Sequence, residues 1–254
     1  MPFGLFIIGD EILSGKRRDR HFDAVRERLA ARGLRLAWVQ YLGDDRERLA
    51  DAFRHSFAGR EAVFSCGGIG ATPDDHTRQA VALALNRPLR PHPEAMRLIA
   101  ERTAEVGLEL SPGRLAMGEF PEGAALIPNP INRIPGFRVG THWFVPGFPE
   151  MAWPMLEWVL DTHYRDRFGH ELEPERGLIV RGLAEGSLTP LMETIEREHT
   201  GVRVYSLPRL NTQAPGRYEI DLGVKGAATT LDAAYAALRD GVLALGGKIE
   251  ENHS

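Results

Sequence analysis

Residues 66–77 decide the fold, and they read Cys-Gly-Gly-Ile-Gly-Ala-Thr-Pro-Asp-Asp-His-Thr. The apolar run Glu61–Cys66 leads into this stretch and predicts a buried strand, while the pattern after Pro73 predicts a helix. Thr72 as the N-cap, Pro73 as the first helical residue and Asp75 as the third fit such a helix start. Glycines between a strand and a helix let the backbone approach a phosphate, and the helix N-terminus offers free N–H groups. The stretch therefore predicts a strand–loop–helix unit with an anion-binding loop.

The segments on either side repeat this strand–helix alternation. Strands are predicted at Phe3–Gly9 and Leu34–Leu42, and helices at His21–Arg32 and Asp45–Phe57. Three strand–helix units in succession predict an α/β domain whose mostly parallel sheet lies between two helical layers, a three-layer α/β/α fold. Further on, the pattern predicts short strands at 124–127 and 138–146 and a long helix at 148–168.

A second, smaller domain is predicted after a polar, acidic linker at Gly169–Arg176. The remaining segments alternate as β-α-β-β-α-β, which is the split-βαβ or ferredoxin-like pattern of a small α+β domain. We therefore expect two domains, residues 1–170 and 171–254.

Composition is that of an ordinary soluble globular protein. The 254 residues are 43% hydrophobic and 26% charged, with a net charge of −4 and a mean hydropathy of −0.25. No apolar run approaches the roughly 20 residues that a membrane-spanning helix needs, and the N-terminus lacks a basic signal-peptide region. A single cysteine, Cys66, excludes a disulfide framework and a thiolate metal site. These features predict a cytoplasmic protein without a membrane partner.

The charges argue against a nucleic-acid partner. Residues 1–170 carry 22 acidic and 22 basic side chains, and residues 171–254 carry 13 and 9, so neither domain is basic. Arginine accounts for 28 of the 31 basic residues, a bias so broad that genome base composition explains it better than phosphate binding does.

Acidic side chains near the glycines leave two interpretations open. Asp74 and Asp75 cap a helix and complement its dipole, or they contribute to a ligand site. Carboxylates beside a phosphate repel it unless a divalent cation such as Mg²⁺ lies between them. Asp10 and Glu11 leave the first strand and Pro146-Gly147 follows a late strand, so these turns are predicted at the same carboxyl edge of the sheet.

Three motifs together resemble the molybdopterin-binding superfamily with its MoaB/MogA-like fold, and within it the N-terminal part of the CinA (competence/damage-inducible) proteins. The family motif Gly-Gly-x-Gly-x-Thr-x-x-Asp-x-Thr is complete between Gly67 and Thr77, and Gly-Asp-Glu-(Leu/Ile)-Leu-x-Gly is matched at Gly9–Gly15. The late motif is represented by Pro128–Pro130, around Asn129, and by Pro146-Gly147. The resemblance covers residues 3–168, and the deamidase domain that ends longer CinA proteins has no counterpart in this sequence.

The resemblance implies a phosphate or pyrophosphate ligand on a heterocycle, either molybdopterin or a nucleotide, together with Mg²⁺ or another divalent cation. Asp10 and Asp75 are the expected metal-binding and catalytic residues. The expected ligand-binding residues are Gly9, Glu11, His21, Gly67, Gly68, Gly70, Thr72, Asp74, Thr77, Asn129, Pro146 and Gly147. Because relatives of this fold self-associate, a homo-dimer or trimer is also expected.

Three functions remain open at this point. The first is binding of such a ligand in molybdenum-cofactor metabolism, the second is metal-dependent hydrolysis of ADP-ribose-like pyrophosphates, and the third is a non-catalytic binding or assembly module.

The sequence also departs from the family near the expected pocket. His21 replaces an asparagine, Phe148 replaces a proline, and residues 132–134 (Asn-Arg-Ile) replace small ones. His21 is a general acid or base, a ligand contact, or simply a helix-entry residue.

Overall fold

The computed structural model describes residues 2–169, 173–210 and 218–251. The chain divides into two compact units, Met1–Leu172 and Glu173–Ser254, and each is described by itself. The predicted boundary between residues 170 and 171 lies outside the described residues.

The first unit is built on a six-stranded, mostly parallel sheet. Its strands and those of a small two-stranded sheet are β1 (Phe3–Ile8), β2 (Leu36–Leu42), β3 (Ala62–Cys66), β4 (Leu89–Pro91), β5 (Glu119–Pro121), β6 (Ala125–Ile127), β7 (Gly136–Val139) and β8 (His142–Val145). The order in the large sheet is β2-β1-β3-β8-β7-β6, and β4 pairs with β5. Strands β2, β1, β3 and β8 are parallel to one another, and β7 and β6 extend the sheet beyond β8 with antiparallel pairing.

Helices cover both faces of this sheet. They are α1 (Asp10–Leu13), α2 (His21–Ala30), α3 (Arg46–Phe57), α4 (Thr77–Ala84), α5 (Pro93–Glu105), α6 (Pro112–Ala116) and α7 (Pro149–His163), followed by a 3₁₀ turn at Arg165–Arg167. Alternate residues of β1 enter different cores: Leu5 packs with α2 and α7, and Phe6 packs with α3 and α4. Because side chains alternate across a strand, both faces are buried, and the predicted three-layer α/β/α fold is confirmed.

One helix start differs from its prediction in a way that matters for the site. α4 begins at Thr77, with His76 as its N-cap, and not at Pro73. Residues 72–75 form a turn instead, in which the Asp75 carboxylate accepts hydrogen bonds from the backbone N–H and the hydroxyl of Thr72. Asp75 therefore closes a turn ahead of the helix, and the interpretation that it caps the helix as its third residue was wrong.

Smaller differences concern short elements. The last predicted helix of this unit ends at His163, where Tyr164 leaves the helical conformation. Strands β4 and β5 and helix α6 have only three to five residues, too few for a hydrophobic period to reveal them.

The second unit has the predicted split-βαβ order. Its elements are β9 (Glu175–Arg181), α8 (Glu185–Glu198), β10 (Val202–Leu210), β11 (Tyr218–Gly226), α9 (Ala228–Ala244) and β12 (Lys248–Glu251). The four strands form an antiparallel sheet in the order β10-β11-β9-β12. Its core joins sheet residues such as Leu222 to Leu188 of α8 and Leu238 of α9. In neither described unit is any helix long and apolar enough to cross a membrane.

Candidate functional site

A cleft of about 730 Å³ opens at the carboxyl edge of the parallel strands, where β1, β3 and β8 end side by side. Its size is that of a small-molecule site. The structure brings most of the predicted residues to its wall: Gly9, Glu11, Gly67, Gly68, Gly70, Thr72, Asp74, Asp75, Asn129, Pro146 and Gly147. Three others lie elsewhere: Thr77 and His21 are buried behind the wall, and Asp10 lines an adjoining depression.

The glycine loop that follows β3 turns its carbonyl groups away from the cleft. The Thr77 hydroxyl donates to Gly67 O (3.0 Å), and the Thr77 N–H donates to Gly68 O (3.0 Å). Arg78 donates from Nη1 to Ile69 O (2.7 Å) and from Nη2 to Gly70 O (2.9 Å). The first two residues of α4 therefore hold four consecutive carbonyls of the loop.

The backbone N–H groups of the same loop, in contrast to its carbonyls, are not paired in this way. Within the described part of the chain, the N–H groups of Gly68, Ile69, Gly70 and Ala71 donate no hydrogen bond. Unpaired backbone N–H groups in succession form an anion-binding concavity, which is most effective when the opposing carbonyls point elsewhere. Arg78 is only 3% exposed and adds a buried positive charge behind the loop. Burial lowers the pKa of Arg78, and Asp75 and Glu119 nearby oppose this.

Glycine is needed at the base of this loop because the backbones approach so closely. At Gly67, φ is +110°, and a Cβ would lie 2.2 Å from Ile8 O. The amide of Gly67 donates to Val145 O (3.0 Å), and a Cβ on Gly147 would lie 3.3 Å from Gly67 Cα. The ends of β1, β3 and β8 thus hold the loop against the Pro146-Gly147 turn.

His21 supports this turn from behind. Its Nε2 lies 3.1 Å from Gly147 O, and its backbone N–H donates to Asp19 Oδ1 (2.8 Å). The ring is 4% exposed, and among the described residues its Nδ1 has no partner. Burial lowers the pKa of His21, only partly offset by the hydrogen bond to Gly147 and the charge of Asp19. A neutral ring with its proton on Nε2 fits these contacts.

Carboxylates gather in the cleft and in the depression next to it. The Asp10 N–H donates to Asp44 Oδ2 (2.8 Å), and the Asp44 N–H donates back to Asp10 Oδ1 (3.2 Å). Burial raises the pKa of Asp44, the charges of Asp10, Glu11 and Asp74 raise it further, and the Asp10 N–H opposes them. Asp44, Glu11 and Asp74 line both the cleft and the adjoining depression, which Lys16 lines too, so three carboxylates share the cleft with the free amides.

The structure describes no complete metal cage. Among residues 2–169, 173–210 and 218–251, no three His, Cys, Asp or Glu side chains are arranged to hold a metal ion. One oxygen of Asp75 is already committed to Thr72, and Asp10 and Asp75 line different cavities. Mg²⁺ is usually held by one or two carboxylates together with substrate phosphates and water. The mutually repelling set around Asp44 fits that kind of incomplete, phosphate-completed site.

The segment at 129–135 forms another side of the cleft. Asn129 Oδ1 accepts from the Ile131 N–H (3.0 Å), and its buried Nδ2 has no partner among the described residues. Arg133 has φ +64°, a left-handed conformation that glycine adopts at lower cost because it has no Cβ. Its side chain pairs with Glu105 and Glu101 of α5 and does not line the cleft.

Sequence reasoning missed several residues of this site. Arg78, Asp44, Arg17 and Arg114 contribute charge around the loop or the cleft. Arg78 directly follows the glycine motif, and Arg17 is the second residue after the first motif, Gly9–Gly15, so closeness to a motif could have indicated both. Arg114 lies on the short helix α6, which carried no signal. Within the described residues, its guanidinium makes no hydrogen bond or ion pair.

Comparison with known proteins agrees with the motifs. Residues 4–165 match a family described as “Probable molybdopterin binding domain”. A CinA-like protein of Geobacter metallireducens is 32% identical over 248 residues, which cover 94% of this chain and 59% of that relative. A protein of Aeropyrum pernix is 30% identical over 258 residues, covering 97% of this chain and 96% of its own.

Among solved structures, the protein CinA from Thermoplasma acidophilum is similar with a TM-score of 0.58 and 26% identity, covering 63% of this chain and 98% of its own. The fold, the glycine loop and the family match coincide in the first unit. The chain therefore belongs to the molybdopterin-binding domain family and is CinA-like.

Proposed function

We propose that the cleft binds a phosphate or pyrophosphate group attached to a heterocycle, of the pterin or nucleotide class. The observation that carries this proposal is the glycine loop, in which Thr77 and Arg78 hold four carbonyls and the amides of Gly68–Ala71 stay unpaired. Such a loop is preorganised for an anion, and Arg78 behind it adds positive charge. The membership of a molybdopterin-binding family supports a pterin, and a role in molybdenum-cofactor metabolism follows from that ligand.

We further propose that a divalent cation accompanies this ligand. Glu11, Asp44 and Asp74 face the cleft, with Asp10 beside them, and their like charges disfavour a bare phosphate. These carboxylates would hold Mg²⁺ jointly with the ligand's phosphate oxygens. When bound, the cation supplies charge neutralisation of the phosphate.

Isothermal titration calorimetry with AMP, ADP-ribose and neopterin triphosphate, each with and without Mg²⁺, tests both parts of the proposal. We expect Mg²⁺ to tighten binding, and we expect Asp74→Asn to remove most of that gain. Glu109→Gln is the matched control because Glu109 is an exposed carboxylate outside the cleft. Equal affinity with and without Mg²⁺ would exclude the shared cation, and no binding of either compound or of a phosphorylated pterin would exclude the site itself.

Hydrolysis of ADP-ribose-like pyrophosphates is the second candidate, and the carboxylate set beside the loop favours it. Incubation of the purified protein with ADP-ribose and Mg²⁺ should then release AMP, and Asp10→Asn should abolish the release. Asparagine is the substitution chosen at Asp10, because its amide oxygen can still accept the hydrogen bond from the Asp44 N–H (3.2 Å). Tight binding without AMP release would leave the protein as a binding or assembly module.

Self-association stays a prediction, for which size-exclusion chromatography with light scattering is the measurement.

A further inference from the structure

An aromatic ring stands open at the cleft beside the glycine loop. Phe148 lines the cleft and remains 54% exposed, whereas the large aromatic side chains of the core are almost fully buried. The guanidinium of Arg17, another residue of the cleft wall, lies over this ring with Cζ 5.7 Å from the ring centroid. Arg17 is also within 3.9 Å of Glu11.

The fold does not need a phenylalanine at this position. Phe148 is the N-cap of α7, with φ −91° and ψ 116°, and its side chain makes no capping hydrogen bond. Serine, threonine, asparagine or aspartate at an N-cap stabilises the helix start more than a side chain without an acceptor does. An exposed ring also gains little from burial. A residue that satisfies neither capping nor packing is expected at functional positions.

The ring is close to the proposed phosphate site. The preceding residue, Gly147, packs directly on Gly67 at the base of the glycine loop. Phe148 also lines the same cleft as the loop, so a ligand whose phosphate contacts the loop amides would have its remaining groups in the cleft that Phe148 lines. Flat heterocycles stack on aromatic rings and on guanidinium planes, and each base–aromatic stack contributes about 1–3 kcal/mol.

We propose that Phe148 and Arg17 form the subsite that receives the ligand's heterocycle, and that this pair makes the cleft selective for phosphate compounds with a planar ring. The proposal rests on the function proposed above, because it assigns the second half of the same ligand. A pterin and a purine share the chemistry that this subsite recognises.

The test compares AMP with ribose 5-phosphate, because both carry the same phosphate on a ribose and only AMP carries a ring. Affinities are measured by calorimetry in the presence of Mg²⁺ for the wild type, Phe148→Ala and Leu108→Ala. Leu108 is a matched control, since it is 51% exposed in the same unit and lies outside the cleft. Neopterin triphosphate is titrated in parallel and distinguishes a pterin from a purine as the preferred ring.

We expect the wild type to bind AMP or the pterin more tightly than ribose 5-phosphate. Phe148→Ala should weaken binding of the ring-bearing ligand about 5- to 150-fold, the range that corresponds to one aromatic stack. It should leave ribose 5-phosphate binding unchanged, and Leu108→Ala should change neither. If ribose 5-phosphate binds as tightly as the ring-bearing ligands, or if Phe148→Ala weakens all ligands equally, the subsite is refuted while the phosphate site stands. If no phosphate compound binds the wild type, the proposed function itself fails.

Discussion

Replacement of Gly67 by alanine tests whether the closeness of β1, β3 and β8 determines the glycine loop. Gly67 has φ +110°, and the new Cβ would lie 2.2 Å from the backbone oxygen of Ile8 in β1. That oxygen belongs to a central strand, and no rotation of a side chain can relieve the contact. The loop or the strand has to move.

The expected cost has two parts. An L-residue in a sparsely populated backbone region costs about 1–3 kcal/mol, and overpacking of a closely packed site costs about 1–3 kcal/mol. Gly67→Ala should therefore lower the free energy of unfolding by about 2–6 kcal/mol. Gly140→Ala is the control, because Gly140 has φ +57° but open space around its Cα. It should cost only the backbone part, about 1–2 kcal/mol.

Urea unfolding followed by tryptophan fluorescence measures this difference. All four tryptophans, at positions 38, 143, 153 and 158, belong to the first unit, so the signal reports that unit alone. Calorimetry should also show that Gly67→Ala weakens AMP binding more than Gly140→Ala does. If the two variants unfold at the same urea concentration, the close contact with Ile8 does not constrain the loop and the reasoning is refuted.

Three further predictions use the same unfolding assay. Arg78→Met should lower the free energy of unfolding by about 2–4 kcal/mol, because it leaves two loop carbonyls without donors, and Arg78→Lys should lower it by less. Unchanged stability of Arg78→Met would contradict this role. Burial lowers the pKa of His142 from 6.5 to about 4, so the unfolded chain binds a proton that the folded chain refuses, and stability should fall by about 3 kcal/mol as the pH drops between these values. His142→Gln should flatten this dependence, and an unchanged pH profile would assign the loss to other groups. Arg133→Gly relieves a positive φ but removes exposed ion pairs. The two effects oppose each other, so the free energy of unfolding should change by no more than about 1 kcal/mol, and AMP affinity should stay unaltered.

Much of the fold could be predicted because its signals are local and repeated. The apolar runs at β1 and β3 and the helical periods of α2 and α3 lie close to where the structure has them. The start of α4 could not be predicted in this way. Thr72, Pro73 and Asp75 have the residue types of a helix start, yet the same hydrogen-bonding groups also close a turn. Local chemistry alone does not choose between the two.

For the candidate site, the sequence indicated the position in the fold better than the individual contacts. The carboxyl-edge rule for parallel sheets brought the three motif turns together, and the structure places Gly9, Gly67 and Gly147 around one cleft. Contacts between segments far apart in the chain could not be predicted from the sequence pattern. The reciprocal hydrogen bonds of Asp10 and Asp44, 34 positions apart, and the contact of His21 with Gly147 depend on the tertiary structure.

The position of β8 in the sheet has a consequence for the order in which this unit assembles. β8 is the last strand of the sheet in the chain, yet it pairs between β3 and β7, and its Val145 accepts the hydrogen bond from Gly67. Such a pairing, about 80 residues apart in sequence, is the kind that slows folding because a long loop must close first. A chain that ends before β8 lacks one wall of the cleft and the anchor of its loop. The cleft is therefore complete only once β8 has joined the sheet, and binding of the proposed ligand would report that the whole sheet has closed.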